Sequence, residues 1–467
     1  MFSCNPSVIS YPILENAVVL SLSTQLVTNH SHEVTPNNYP NDGGLVAKEL
    51  SFCNITVSYT RQQDDHVSVE TWLPPLEHWN GRLQAAGGSS RLGPGRFNTS
   101  YGNMAGAIAE GYATASTDSG ISNPLVIAKS VIRDFYGRPP AYSYFSGCSQ
   151  GGRQGFELTQ KHPTAYDGIA ASAPATHWAQ WDGRPPLEEC DGHDGAVDGI
   201  IPNPKSCTFD PFAYIGTNFT CLPERRSMKP SRVAAVIANA TWAGPSDSRG
   251  NFIWHGPNHG ADLSRDLTGT GIASATNTCD DGGACKGVPI TTPCVPMDSA
   301  ICRKGPRVRL HLHHAGGPTY DEIMRRSGAE YDSIVSSSNP NLTEFHRAGG
   351  QMMTCHGLYN QVVPIQVTEM YYDDISKFVP DVQDFYRFYE VPGLPHCFGN
   401  GQLTTVFDAL RAWVENGAVL GSLPTVLFDA YGRRNDRIMC PFPESVVYVK
   451  EYRDPTDATC FTCTAGG

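Results

Sequence analysis

The sequence predicts an α/β protein: a mostly parallel sheet with crossover helices, interrupted by a long, disulfide-stapled insertion. Three observations predict it. Short apolar runs alternate with helical stretches up to residue 172 and again from residue 345. The stretch between, 173–344, holds seven of the 15 cysteines, many Gly and Pro, and little periodicity. The whole chain is 467 residues, enough for a large core, so the cysteines are not needed to replace one.

The elements follow in order. Ile55-Thr56-Val57-Ser58-Tyr59 and Val67-Ser68-Val69-Glu70-Thr71-Trp72 alternate apolar and polar across the polar residues 61–65, which reads as a hairpin. Arg82-Leu83-Gln84-Ala85-Ala86 is a short strand running into Gly87-Gly88. Tyr112 to Ser116 is another, and a strand from Tyr142 ends at Gly147 with a helix following over 153–161. Residues 168–172 are strand-like again, and strand–helix–strand order argues for parallel pairing. Strands return at 351–355 and 384–389. Val406, Leu410, Trp413 and Val414 then recur at helical spacing, with Gly417 as the stop. The predicted division is a core of 1–172 and 345–467 around the insertion.

Lys+Arg 34 against Asp+Glu 46 gives −12, which argues against a nucleic-acid-binding surface, and no run nears the ~18 apolar residues of a membrane span. Fifteen cysteines are many for a reducing cytosol. Six Asn-x-Ser/Thr sequons, at Asn29, Asn54, Asn98, Asn218, Asn239 and Asn341, point the same way, toward a secreted glycoprotein. The first residues show no basic region and no apolar stretch, and Met1 to Pro6 reads as the start of a mature chain. The odd cysteine count leaves at least one thiol unpaired within the chain.

The chemistry starts at Gly147-Cys148-Ser149-Gln150-Gly151, which fits G-x-S-x-G between a strand and a helix. Small flanking residues permit a sharp turn that projects Ser149, with the Gln150 amide placed to receive an oxyanion. A histidine should follow later in the chain, and His396 sits in Pro392-Gly393-Leu394-Pro395-His396-Cys397, just after a predicted strand. Cys148 adjoins Ser149 and Cys397 adjoins His396, so a Cys148–Cys397 disulfide would hold nucleophile and base together; two unrelated buried thiols are the alternative. Cys148 as nucleophile is a further alternative, excluded if it is bridged.

Gly-Cys-Ser-x-Gly-Gly-Arg-Gln-Gly at 147–155 and Pro-Gly-Leu-x-His-Cys at 392–397 resemble the fungal and bacterial tannase/feruloyl esterase family. Trp79-Asn80-Gly81-Arg82, the run from Glu110 to Asp118, and Asp167-Gly168-Ile169 match it too. The resemblance implies an α/β-hydrolase core with an inserted, disulfide-rich lid and a Ser–Asp–His triad braced by a disulfide beside Ser and His. Ser149 is then the nucleophile and His396 the base, with Gln150 and the Gly87–Gly88 loop as oxyanion donors.

The acid departs from the pattern. Where the family motif resembles His-Gly-x-x-Asp with Pro four residues on, this chain reads His356-Gly357-Leu358-Tyr359-Asn360 and then Pro364. An amide accepts a hydrogen bond but cannot stabilise an imidazolium as a carboxylate does; in a serine protease this change costs about 10⁴ in kcat. Glu369, Asp373 and Asp374 are nearby acids, and nothing in their spacing favours one. The resemblance also implies several dozen more residues after Gly120 and longer segments between Ala175 and Cys190.

Cys190-Asp191-Gly192-His193-Asp194-Gly195-Ala196-Val197-Asp198-Gly199-Ile200 crowds three carboxylates into eight residues, either a solvated acidic turn or a Ca²⁺ loop, though not an EF-hand. The resemblance implies structural Ca²⁺ held by the side chains of Asp191, Asp194 and Asp198 and the carbonyls of Ala196 and Ile200, with Cys190 and Cys207 pairing around it. His311, His313, His314, His255 and His259 read as loop residues, and Trp178, Trp181, Trp242 and Trp254 as pocket lining or packing. The expected activity is a secreted serine carboxylesterase on plant phenolic esters, free or polysaccharide-linked. A general esterase, and a silent hydrolase-fold binding protein, are the alternatives.

Overall fold

The computed structural model describes residues 4–36, 39–61, 66–88, 100–118, 124–177, 209–221, 226–261, 275–279, 285–289, 318–429, 432–449 and 454–465. Nine strands form one sheet: β1 (Val18–Val34), β2 (Leu45–Thr60), β3 (Val67–Leu73), β4 (Arg82–Ala86), β5 (Ala113–Thr117), β6 (Tyr142–Cys148), β7 (Gly168–Ser172), β8 (Gln351–Gly357) and β9 (Tyr386–Val391). Their order is β1-β2-β3-β5-β4-β6-β7-β8-β9. The first three pair antiparallel, and every pairing from β5 through β9 is parallel.

Helices connect the parallel strands: α1 (Tyr101–Ala109) between β4 and β5, α2 (Pro124–Tyr136) between β5 and β6, and α3 (Gln150–Lys161) between β6 and β7. Later come α4 (Gln366–Phe378) between β8 and β9, and α5 (Val406–Asn416) after β9. They cover both faces, because a parallel sheet must bury both. Ile127, Val131 and Ile132 of α2, Phe156 and Leu158 of α3, and Tyr371, Tyr372 and Ile375 of α4 pack into one core. Ala107 of α1 and Val406, Leu410 and Trp413 of α5 pack into a second, with Tyr144 of β6 and Tyr389 of β9. Gly417 ends α5 in the left-handed region at φ 65°. This is the expected α/β-hydrolase architecture.

Four features differ from expectation. Strand β1 was not foreseen: its side chains are mostly exposed, Val18, Leu20 and Leu26 among them, so its alternation marks no core. Helices α1, α2 and α4 also went unassigned. In 173–344, no described strand joins the central sheet, but two helices interrupt the supposed lack of periodicity, Arg232–Ala243 and Pro318–Val335. The first is a run of small apolar residues with no polar face to mark its period, and the second is laced with local ion pairs, Arg325–Glu322 and Arg326–Glu330, instead of an apolar stripe. Finally, two hairpins follow α5, Leu423–Phe428 with Arg434–Met439 and Ser445–Tyr448 with Phe461–Thr464, and Cys440–Cys463 ties the end of the first to the second.

Candidate active site

The site is built first by a turn that backbone sterics dictate. Strand β6 is buried from Ser143 onward and α3 starts at Gln150, so Ser149 alone makes the reversal, at φ 62° and ψ −118°. A non-glycine residue occupies that region only when its surroundings force it. Here they do. The Ser149 N–H donates to the Ser172 carbonyl at 3.1 Å, and its carbonyl accepts from Arg153 and Ala175. A Cβ on Gly147 would lie 2.8 Å from the Gly151 backbone, and one on Gly152 only 2.3 Å from the Ser172 carbonyl oxygen. The Gln150 N–H engages no acceptor among the described residues, as an oxyanion donor should.

Gly87 and Gly88 do not share that freedom. The Gly87 N–H continues the β4–β6 ladder to the Ser146 carbonyl at 2.8 Å, and the Gly88 N–H donates to Gln154 Oε1 at 3.1 Å. Both expected second donors are therefore engaged in this arrangement, one by strand pairing and one by a buried amide. Ser89 lies outside the described residues.

Cys148 and Cys397 form a disulfide with Cα atoms 5.9 Å apart, which excludes Cys148 as nucleophile and tethers the His396 loop to the elbow. Ser149 and His396 are both half-buried beside that bridge. The loop after β8 closes against the histidine loop from the other side. The Leu358 N–H donates to Val391 O at 2.9 Å and the Tyr359 N–H to Leu394 O at 3.1 Å, while a Cβ on Gly357 would collide with Leu394 O at 1.9 Å. Glycine is the residue that lets these loops approach.

Asn360 stands where the acid was expected, 1% exposed. Its Oδ1 accepts from the Val362 N–H at 3.0 Å and the Val363 N–H at 2.8 Å, and His396 Nδ1 lies 3.1 Å away. Its Nδ2 lies 2.9 Å from His356 Nε2. Full burial lowers the His356 pKa to about 4. Gln361 Oε1 accepts from the His396 backbone N–H at 3.2 Å. Asp374 ion-pairs with Lys377 on the exposed side of α4, so the His396 contact falls to Asn360 and not to that acid.

Several supporting residues escaped the sequence reading. Asn41 Nδ2 donates to Ser146 Oγ at 3.1 Å and Asn41 Oδ1 accepts from Ser172 Oγ, joining the ends of β6 and β7 beneath Ser149. Gln154, Gln361 and Thr368 belong here too; Gln154 and His356 had a signal, their places in the 147–155 and His-Gly motifs. Trp254 packs on His177 and Trp242 on His259, so both tryptophans serve packing. His255 Nε2 meets Met370 Sδ at 3.1 Å, in irregular chain as expected.

Asp191, Asp194, Ala196, Asp198 and Ile200, with Cys190, Cys207, Trp178, Trp181, Asn98, His311, His313 and His314, lie outside the described residues. Among the described residues no three His, Cys, Asp or Glu side chains could hold a metal, and no helix is long and apolar enough to cross a membrane. Asn29, Asn218, Asn239 and Asn341 are exposed, whereas the Asn54 amide donates to Glu70 and is half-buried. Cys4–Cys53 is a third disulfide, and Cys355 and Cys460 are buried free thiols among the described residues.

The sheet order, the crossovers and the serine at the strand-to-helix turn define an α/β-hydrolase core. More narrowly, the chain belongs to the tannase and feruloyl esterase family, whose model matches residues 121–184 and 183–464. It is 27% identical to a probable feruloyl esterase of Arthroderma benhamiae, over 92% of this chain and 88% of that one. It is 25% identical to the mono(2-hydroxyethyl) terephthalate hydrolase of Piscinibacter sakaiensis, over 83% and 80%. Its fold is similar to that of the tannin acyl hydrolase from Aspergillus niger, with TM-score 0.79, 21% identity and 99% and 95% coverage. Feruloyl esterase B from Aspergillus oryzae follows, with TM-score 0.71, 20% identity and 97% of each chain covered.

Proposed function

We propose that the chain is a secreted serine carboxylesterase acting on plant phenolic esters of feruloyl or galloyl type, whether small or polysaccharide-linked. The observation that carries this reading is His396 Nδ1 facing a fixed oxygen, the arrangement that orients an imidazole as general base. Ser149 Oγ attacks the ester carbonyl while His396 Nε2 takes its proton. The tetrahedral oxyanion forms against the Gln150 N–H, and the alcohol leaves with the proton from His396. Water, deprotonated by the same nitrogen, then releases the acid and restores Ser149. The relatives' names supply the substrate class, and disulfides suit an oxidising compartment.

Structural Ca²⁺ on Asp191, Asp194, Asp198, Ala196 and Ile200, and a lid spanning 173–344, belong to the same reading. EDTA then lowers Tm without altering the chemistry at Ser149; an unchanged Tm removes the ion from the proposal. A second reading, a hydrolase-fold protein that binds phenolic ligands without turnover, is favoured by the amide at position 360. Hydrolysis of methyl ferulate and methyl gallate by the purified chain decides between them, with Ser149→Ala as blank. Turnover above the blank supports the esterase, and the preferred ester names its subclass. Turnover equal to the blank supports the binding protein.

A further inference from the structure

We propose that His356 is a positioning residue: it holds the Asn360 amide in the one orientation that offers oxygen to His396, and it does so by carrying its own proton on Nδ1. The inference rests on the catalytic reading of Ser149 and His396 for its consequence, but not for its geometry.

The orientation of Asn360 follows from its neighbours. The backbone N–H groups of Val362 and Val363, at 3.0 and 2.8 Å, can only donate. The atom they meet must therefore be oxygen; a flipped amide would set Nδ2 against two donors and leave buried groups unsatisfied. The same oxygen lies 3.1 Å from His396 Nδ1, which then carries a hydrogen and leaves Nε2 as the basic nitrogen. Amide orientation and catalytic tautomer are thus one decision.

The amide nitrogen is left pointing at His356 Nε2, 2.9 Å away. A gap of that length between two nitrogens holds one hydrogen, and the amide brings it. Nε2 must accept, so the imidazole proton sits on Nδ1 and donates to Thr368 Oγ1 at 2.8 Å. One contact opposes this: the Val363 carbonyl lies 3.0 Å from the same Nε2 and would accept a hydrogen there. Placing it there would set two N–H groups face to face, which is worse than two lone pairs at 3.0 Å. His356 is fully buried and depressed to a pKa of about 4, which keeps the ring neutral so that one nitrogen can accept.

A carboxylate at 360 reverses the balance. Both it and the Val363 carbonyl then accept, so the His356 proton moves to Nε2 and Thr368 turns its hydroxyl to donate to Nδ1. His356 thus reports which residue occupies position 360. The serine-protease penalty of about 10⁴ arises from a wrong tautomer; here the tautomer is kept and the missing element is charge.

The test is a two-bond ¹H–¹⁵N spectrum of the full chain labelled at histidine, with the His356 signals assigned by their loss in His356→Gln. A protonated Nδ1 and bare Nε2 are expected in the unmodified chain, exchanging places in Asn360→Asp. A proton on Nε2 in the unmodified chain overturns the proposal, as does a tautomer indifferent to residue 360. Neither readout needs turnover, so an inactive protein sinks the esterase reading and leaves this one standing or falling on its spectrum. If esters are hydrolysed, His356→Gln, whose carbonyl accepts the same amide hydrogen, should exceed His356→Leu about tenfold in kcat with KM unchanged, one lost hydrogen bond's worth. Equal rates overturn the positioning role.

Discussion

The two halves of the site are held by different physics. The Ser149 elbow is held by contact: Gly147 and Gly152 lie so close to neighbouring backbone that no other side chain fits, and the positive φ of Ser149 accompanies that packing. The Asn360 loop is held by donors: two backbone N–H groups and His396 Nδ1 converge on one oxygen. Steric constraint tolerates no substitution but leaves the serine's chemistry alone. Polar constraint tolerates an isosteric exchange of Asp for Asn and lets it alter the chemistry. The intact G-x-S-x-G at 147–151 and the amide at 360 stand on opposite sides of that distinction.

The largest effect is expected from breaking the steric half. Gly152→Ala gains about 1 kcal/mol of helix propensity in α3. It also drives a Cβ to 2.3 Å from the Ser172 carbonyl, which accepts the Ser149 N–H. Overpacking against backbone costs about 3 kcal/mol or more, so the clash wins. Denaturant titration should show the loss, with ester turnover falling alongside; a neutral or stabilising Gly152→Ala would refute the steric account of the elbow.

The polar half should reveal itself through pH. His356 is depressed from 6.5 to about 4 by burial, so between those values the unfolded chain binds a proton that the folded chain does not. Stability therefore rises as pH climbs from 4 to 6.5 and is complete above 6.5. The full swing from this group is about 3 kcal/mol. Unfolding measured at pH 4.5 and 7.5 in the unmodified chain and in His356→Gln should differ by about that much in pH dependence; identical slopes would mean that His356 is not buried and neutral.

Asn360→Asp sharpens the comparison by adding charge at an oxygen whose position is already fixed. The pocket already aims its donors at one oxygen, so a carboxylate enters with only the His356 proton and the Thr368 hydroxyl turning over, and it supplies the charge that an imidazolium needs. Because the His396 tautomer is already set, the expected gain in kcat is about 10- to 100-fold, below the ~10⁴ of a tautomer error. A gain near 10⁴ would instead mean that the amide is flipped in solution.

What could be read in advance divides along the same line. Strands β4 and β7 were legible to the residue, because Gly and polar turns bound short apolar runs whose every other feature is burial. The sharp turn at Ser149 and the Cys148–Cys397 bridge were legible because local sequence makes the turn and adjacency suggests the bridge. The engagement of Gly87 and Gly88 was not, since it depends on strand pairing and on Gln154, distant in sequence. Nor was Asn41, whose signal is a single polar residue in a loop. Strand β1 alternates visibly in sequence but packs too little to distinguish itself from a polar segment.

A carboxylate elsewhere in the molecule isolates what is special about position 360. Glu415 on α5 receives Arg82 Nε at 2.6 Å and Nη2 at 2.5 Å, and the Tyr144 hydroxyl at 2.8 Å. Glu415→Gln makes the same acid-to-amide exchange at a site with no backbone donors to choose the amide's orientation. One arm of the guanidinium must then face an N–H, but that arm is part-exposed, with 27% of the Arg82 side chain accessible, so water can serve it instead. The expected cost is about 1 kcal/mol of stability, with kcat unchanged, since Arg82 pairs with Tyr142 at the start of β6, the opposite end of that strand from Ser149. A cost above about 3 kcal/mol would show that burial at Glu415 outweighs hydration, and that orientation by fixed donors is not what separates the two positions.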